Sequence, residues 1–159
     1  MNLAVKFVVE EDFVNYKKPS MFIGFPNCTF KCDHECGMNV CQNSPLAKQS
    51  SIWVDAYDLV ERYIRNPITE SIVIGGLEPF DDWSYLASLI NLFRIKTLDD
   101  IVIYTGYNKD EINAHLTYLA QFDNIIIKYG RFIPNHKPHK DEVLGVNLAS
   151  DNQYAERIS

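Results

Sequence analysis

Four short runs constrain this chain more than any other feature: "SMFIGF" (20–25), "SIVIGG" (71–76), "IVIYTG" (101–106) and "NIIIKYG" (124–130). "SIVIGG" and "IVIYTG" are nearly continuous apolar stretches, the mark of strands covered on both faces. Helical patterns fall between them. Ala56, Leu59, Val60, Tyr63 and Ile64 share one helical face after "SIWVD" (51–55), and Pro67 ends that helix by removing a donor and crowding the preceding turn. A second helix is expected from about Asp82 to Ile95, with Leu86, Leu89, Ile90 and Phe93 at helical spacing. A third starts at Asn108 as N-cap with Glu111 at N3, the reciprocal capping pattern, and carries Ile112, Leu116 and Leu119. Steady alternation of strand and helix predicts an α/β chain with right-handed crossovers and mainly parallel strands.

In such folds ligands gather beyond the carboxyl ends of the strands. Three unusual segments fall there: "CTFKCDHECGMNVCQN" (28–43) after "SMFIGF", "GGLEP" at the end of "SIVIGG", and "TGY" at the end of "IVIYTG". The first holds all 4 cysteines, Cys28, Cys32, Cys36 and Cys41. The net charge of -6 has no basic stripe within it, which argues against nucleic acid or an anionic membrane surface as partner. "MNLAVKFVVEEDF" meets three acids after a very short apolar run and lacks the pattern of a signal peptide, and no stretch approaches the ~20 apolar residues of a membrane span. The expected compartment is therefore the cytoplasm, where clustered thiols stay reduced and point to metal or catalysis over disulfides. At 159 residues, without repeat or linker, one domain is expected.

Asp33, His34, Glu35 and Asn39 make the cysteine segment polar, so packing alone does not explain it. Zinc is one candidate, with four thiolates or with three and His34, although zinc sites usually pair knuckles from two separate places. An iron–sulfur cluster suits a single contiguous loop better. Cys28, Cys32 and Cys36 would form a row of roughly 12 Å on a regular helix, which cannot wrap a compact cluster unless the helix breaks. Taking Cys41 as third ligand lengthens the connecting loop at a closure cost of only about 1 kcal/mol, so geometry permits either residue. In "GGLEP" the paired glycines let a ligand approach backbone, a tight strand-to-helix turn being the plainer explanation. The strand's last carbonyls and Glu78 are acceptors suited to an ammonium group.

Together these segments resemble the radical S-adenosylmethionine (SAM) superfamily, and within it the activating proteins of anaerobic (class III) ribonucleotide reductases. "EDFVNYKKPSMFIGFPNCTFKC" (11–32) is similar to the family's first strand and first two ligand cysteines. "CQN" (41–43) is similar to its third cysteine with the following polar residue and Asn. "GGLEPFDDW" resembles the Gly-Gly-Asp/Glu-Pro segment with Leu77 inserted. "IVIYTGYNKDEI", "NIIIKYGRFI" and "LASDNQ" resemble the Thr-Gly-Tyr strand, the Gly-Arg/Lys-Phe strand and the Ser-Ser-Asn-Gln tail. The chain departs from the family between Cys32 and Cys41, where eight residues stand in place of two; an insertion of six that contains Cys36 accounts for the difference.

The resemblance implies a single-domain partial (β/α) barrel over 1–159, with mainly parallel strands and a cluster loop at 28–43. It implies a 4Fe–4S cluster on Cys28, Cys32 and Cys41, with Cys36 as the alternative third ligand, and SAM chelated to the open iron. Reductive cleavage of SAM would give methionine and a 5′-deoxyadenosyl radical, which takes hydrogen from a glycine of a partner. The implied partners are a glycyl radical enzyme of the anaerobic ribonucleotide reductase type and a one-electron donor such as flavodoxin. Gly75, Gly76 and Glu78 are expected near the methionine end of SAM, backbone around Val40, Cys41 and Gln42 along the adenine, and Tyr104 and Thr105 on the sugar or carboxylate side. A radical SAM enzyme for a small molecule, or a non-catalytic zinc or iron–sulfur adaptor, would use the same loop. His136 and His139 are expected as surface histidines, and Lys128 and Arg131 as either a solvated strand end or an orienting pair for a substrate loop. Met21, Trp53 and Trp83 are read as core or rim packing, and the "FDDW" acids as helix-start charges.

Overall fold

The structure is a computed structural model that describes residues 1–27 and 44–159. Six strands form the main sheet: β2 (Phe7–Asp12), β3 (Ser20–Phe25), β5 (Ser71–Gly76), β6 (Asp100–Tyr104), β7 (Ile125–Tyr129) and β10 (Tyr154–Arg157), in the spatial order β10-β7-β6-β5-β3-β2. Two small antiparallel pairs accompany it, β1 (Asn2–Val5) with β4 (Ile52–Asp55) and β8 (His139–Asp141) with β9 (Val146–Leu148). The helices are α1 (Ala56–Arg65), α2 (Trp83–Lys96) and α3 (Asn113–Leu119). No helix among the described residues is long and apolar enough to cross a membrane.

The near-continuous apolar runs become the four central strands because both their faces are covered. Ile23, Ile74, Ile103 and Ile127 lie in one register row across β3, β5, β6 and β7, with Met21, Ile72, Ile101 and Ile125 in a parallel row. These rows pack against Leu59 and Tyr63 of α1, Leu86, Leu89 and Phe93 of α2, and Leu116 and Leu119 of α3. Alternation sends Val73, Val102 and Ile126 to the other face, where Ala155 of β10 joins them and Tyr16, Leu144 and Leu148 cover them. The helices thus occupy one face and the 131–153 segment the other.

The expected partial (β/α) barrel is not what the chain builds. Only β3, β5, β6 and β7 run parallel; β2 joins β3 and β10 joins β7 in the antiparallel sense, and the mixed sheet stays open between those two edges. The reason lies in the connections. Residues 13–19 between β2 and β3 are too few for a parallel crossover, which needs about a dozen residues or more. After β7 no further helix follows, and the β8–β9 pair covers the helix-free face in its place.

Local departures have equally simple causes. The capping box at Asn108 and Glu111 forms as expected, but it opens a 3-10 turn, Lys109–Ile112, before α3 begins. α2 is likewise preceded by a 3-10 turn, Pro79–Asp82, in which Pro79 occupies the start of the turn. Ile64, assigned above to the buried helical face, is exposed, and Trp53 is 70 % exposed on β4. At the amino end of β6, the buried Asp100 carboxylate accepts from Tyr16 Oη (2.7 Å), Lys18 Nζ (3.1 Å) and Arg157 Nη1 (3.0 Å). That cluster joins the 13–19 loop, β6 and β10.

Candidate functional site

The pairing of β3 with β5 continues past the strands. Leu77 N donates to Phe25 O (3.0 Å) and Glu78 N to Asn27 O (2.6 Å). Asn27 Nδ2 in turn donates to both carboxylate oxygens of Asp82 (2.9 and 3.0 Å). Asn27 directly precedes Cys28 in the chain, so the residue before the cysteine segment is anchored to the "GGLEP" turn. The far end returns at a helical turn, Ser44–Ala47. Lys6, whose N–H donates to Gly24 O (2.7 Å), steadies that return by donating from Nζ to the carbonyls of Ala47 and Gln49.

Gly76 has a left-handed backbone, φ +84°, and a Cβ there would lie 2.7 Å from Gly24 Cα and 2.9 Å from Phe25 N. Its missing side chain is therefore required by the close approach of β3. Leu77, the residue inserted into the motif, turns inward and is buried.

Glu78 is 6 % exposed, and its carboxylate accepts from Phe80 N (3.1 Å), Thr105 Oγ1 (2.8 Å) and Gly106 N (2.8 Å). Burial pushes its carboxyl up to about 7, while the three hydrogen bonds favour the ionised form and pull it down. Thr105, 2 % exposed, also accepts from Tyr107 N (3.0 Å) through the same hydroxyl. Tyr107 Oη donates to Asp81 (2.6 Å), so a third bond joins the exits of β5 and β6. The "FDDW" acids are thus specific acceptors at the rim: Asp81 for Tyr107 and Asp82 for Asn27.

A cavity of about 450 Å³ opens beside this turn on the helix-free face, lined in part by Phe22, Leu46, Gly76, Glu78, Tyr104 and Thr105. Its lining also carries two cations, Lys128 and Arg131, each 7 % exposed. Lys128 Nζ donates to Gly130 O (3.0 Å) and lies 5.8 Å from the Tyr104 ring centroid. Arg131 Nη2 donates to both oxygens of Glu111 (2.8 and 2.6 Å), with its guanidinium 5.8 Å from the Tyr107 ring centroid. The solvated strand end considered for this pair is not found. A lysine inside the apolar run "IIIKY" was the signal in the sequence, since a charge in a strand covered on both faces needs a specific setting.

The structure brings Gly76, Glu78, Tyr104 and Thr105 to one cavity, with Gly75 beneath it against Tyr104 and the Phe22 ring. Tyr104 Oη donates to Asn15 O (2.6 Å). Cys28, Cys32, Cys36, Val40, Cys41 and Gln42 lie outside the described residues. His136 and His139 do not converge: His136 Nδ1 pairs with Asp151 (2.7 Å) and His139 Nε2 with Gln153 O (2.6 Å). Trp83 packs at the rim, stacked on Phe80 and with its ring centroid 4.1 Å from that of His115.

Neither curated proteins nor solved structures yield a match to this chain. The family model described as a 4Fe-4S single cluster domain matches residues 21–154, from the second residue of β3 to the first of β10, and so takes in all four cysteines, the "GGLEP" turn and the cavity wall. A match over that share of the sequence means that the chain belongs to the 4Fe-4S single cluster domain family.

Proposed function

We propose that this chain is a radical SAM activase: an oxidoreductase that cleaves SAM reductively at a 4Fe–4S cluster and places a glycyl radical on a partner enzyme of the anaerobic ribonucleotide reductase type. One observation carries the reading. One flank of the cysteine segment is bonded to the "GGLEP" turn, Asn27 O accepting from Glu78 N, and the other, at Leu46, lines the same cavity as Gly76 and Glu78. A cluster on that segment and a ligand in that cavity would be neighbours.

The residues present fit both groups. Three thiolates, Cys28, Cys32 and Cys41 with Cys36 as the alternative, would leave one iron of the cluster open. The cavity falls within the roughly 300–1,000 Å³ of small-molecule sites. Its acceptors beside Gly75 and Gly76 suit the ammonium group of SAM. Val40, Cys41 and Gln42 would pass the adenine, and Tyr104 the sugar or carboxylate side. Thr105 was expected beside Tyr104, but its hydroxyl is engaged within the protein at both ends. When bound and reduced, the cluster supplies the electron that cleaves SAM to methionine and the radical that takes hydrogen from glycine. The chain's own task is to hold, orient and exclude water.

The test is anaerobic reconstitution with iron and sulfide, followed by dithionite and SAM, scoring 5′-deoxyadenosine. A fully loaded 4Fe–4S protein that forms none is a binding module, and the activase reading fails. An electron donor of the flavodoxin type replacing dithionite, and a glycyl radical signal on the partner enzyme, would extend the reading to its full form.

A further inference from the structure

We infer that Thr105 is a positioning residue that acts through Glu78 on the backbone of the "GGLEP" turn; the inference rests on the SAM reading above. The ladder between β3 and β5 runs up to Phe25–Gly76 and that between β6 and β7 up to Tyr104–Lys128, but the ladder between β5 and β6 ends at Ile74–Ile103. Beyond that pair the exits of β5 and β6 are joined by side chains. Tyr107 Oη reaches Asp81 at 2.6 Å, and Glu78 supplies a buried double link: one oxygen accepts from Thr105 Oγ1 and the other from Gly106 N, each at 2.8 Å.

The Thr105 hydroxyl is oriented by its surroundings. It accepts from Tyr107 N at 3.0 Å, so its own hydrogen is directed to Glu78 Oε1. Glu78 passes the constraint on through its main chain, since Glu78 N donates to Asn27 O. A continuous series of hydrogen bonds thus runs from the exit of β6, through the glutamate of the motif, to the residue preceding Cys28. Thr105 sets where the turn stands relative to Asn27 and the cavity it borders, with its own hydroxyl taken up within the protein. Buried bonds to a carboxyl group suit such a task because few alternative arrangements compete with them.

The test compares Thr105→Val, which keeps the shape and removes the hydroxyl, with Thr105→Ser, which keeps the hydroxyl. SAM binding to the reconstituted, oxidised full chain is measured by equilibrium dialysis, alongside iron and sulfide content and hydrogen exchange at the Gly106 amide. Thr105→Val is expected to bind SAM roughly tenfold more weakly at unchanged cluster content and to exchange Gly106 faster. Thr105→Ser is expected to restore both. Equal SAM affinity in Thr105→Val and wild type overturns the positioning role alone, as does a Thr105→Ser as weak as the valine variant. A loaded wild type that binds no SAM overturns the functional reading and this inference with it. Should Thr105→Val fail to load, Thr105→Ala removes the hydroxyl without adding a methyl group in its place, and Thr105→Ser remains its control.

Discussion

Gly76→Ala separates two explanations of the paired glycines, ligand approach and strand packing. The φ of +84° costs an L-residue about 1–2 kcal/mol. The new Cβ would meet Gly24 Cα at 2.7 Å, Phe25 N at 2.9 Å and Gly24 C at 3.0 Å, all main-chain atoms that cannot rotate away. Relief requires β3 to part from β5 at this end, with loss of the Leu77–Phe25 and Glu78–Asn27 hydrogen bonds at about 1 kcal/mol each. The sum is about 3–4 kcal/mol, within reach of the 5–15 kcal/mol that ordinarily holds a domain folded, so a weakened protein should still be measurable. Gly75→Ala is the internal control. Its Cβ would meet the Phe22 ring at 3.2 Å and Tyr104 Cβ at 3.3 Å, with no left-handed φ, and the half-buried Phe22 ring can give. Its cost should be about 1 kcal/mol or less, offset in part by the reduced freedom of the unfolded chain. Urea unfolding reads the difference as a large fall in midpoint for Gly76→Ala and a small one for Gly75→Ala, at similar slopes. Equal midpoints for the two variants would refute the argument from β3.

Cys41→Ala is expected to lose the cluster and Cys36→Ala to retain it, read by iron and sulfide content and the visible absorption of the reconstituted protein; the reverse pattern would make Cys36 the ligand. Burial disfavours ionisation of Asp100, but hydrogen bonds from Arg157, Tyr16 and Lys18 outweigh it and hold the carboxyl at about 2. A folded-state value below the unfolded one stabilises above the unfolded value, so about 2 kcal/mol should be lost as the pH falls from about 4 through 2, and acid titration of Asp100→Asn should lack that component. Glu78 has the opposite sign. Burial lifts its carboxyl from 4.5 to about 7, so the folded state holds the extra proton and stability should fall as pH rises through that window, by about 3 kcal/mol. Glu78→Gln should flatten that slope in urea unfolding series across pH 4–8, and an unchanged slope would place its origin elsewhere.

Apolar continuity in "SIVIGG" and "IVIYTG" was enough to identify β5 and β6 as strands covered on both faces, because only such strands tolerate no polar alternation. Helical spacing likewise identified the buried side of α2, with Leu86, Leu89, Ile90 and Phe93 all in the core. The same alternation said nothing of closure. A barrel and an open sheet share the βα repeat and differ in what the first and last strands pair with, and β2 and β10 pair in the antiparallel sense. Ile64 shows the limit on a smaller scale: it has the right residue type for the stripe but stays 42 % exposed on its side of α1.

At the site, the cysteine pattern and the Gly-Gly-Glu-Pro likeness were legible because iron ligands and turn residues must be particular residue types at particular spacings. The 4Fe-4S single cluster family match covers that same pattern. Long-range pairing was not legible. Asp81 with Tyr107, Asp82 with Asn27 and Glu78 with Thr105 are separated by 26, 55 and 27 residues, and nothing local selects one distant donor over another. Lys128 and Arg131 were visible as charges next to an apolar run, yet their burial in a cavity wall depended on the 131–153 segment folding over the helix-free face. Strand and helix types, and the run of thiols that follows "SMFIGF", could be read from the residues alone, because period and residue chemistry are local properties. The open sheet and the choice of carboxylates that latch the rim came from the fold, because both depend on which distant segments reach each other when the core closes.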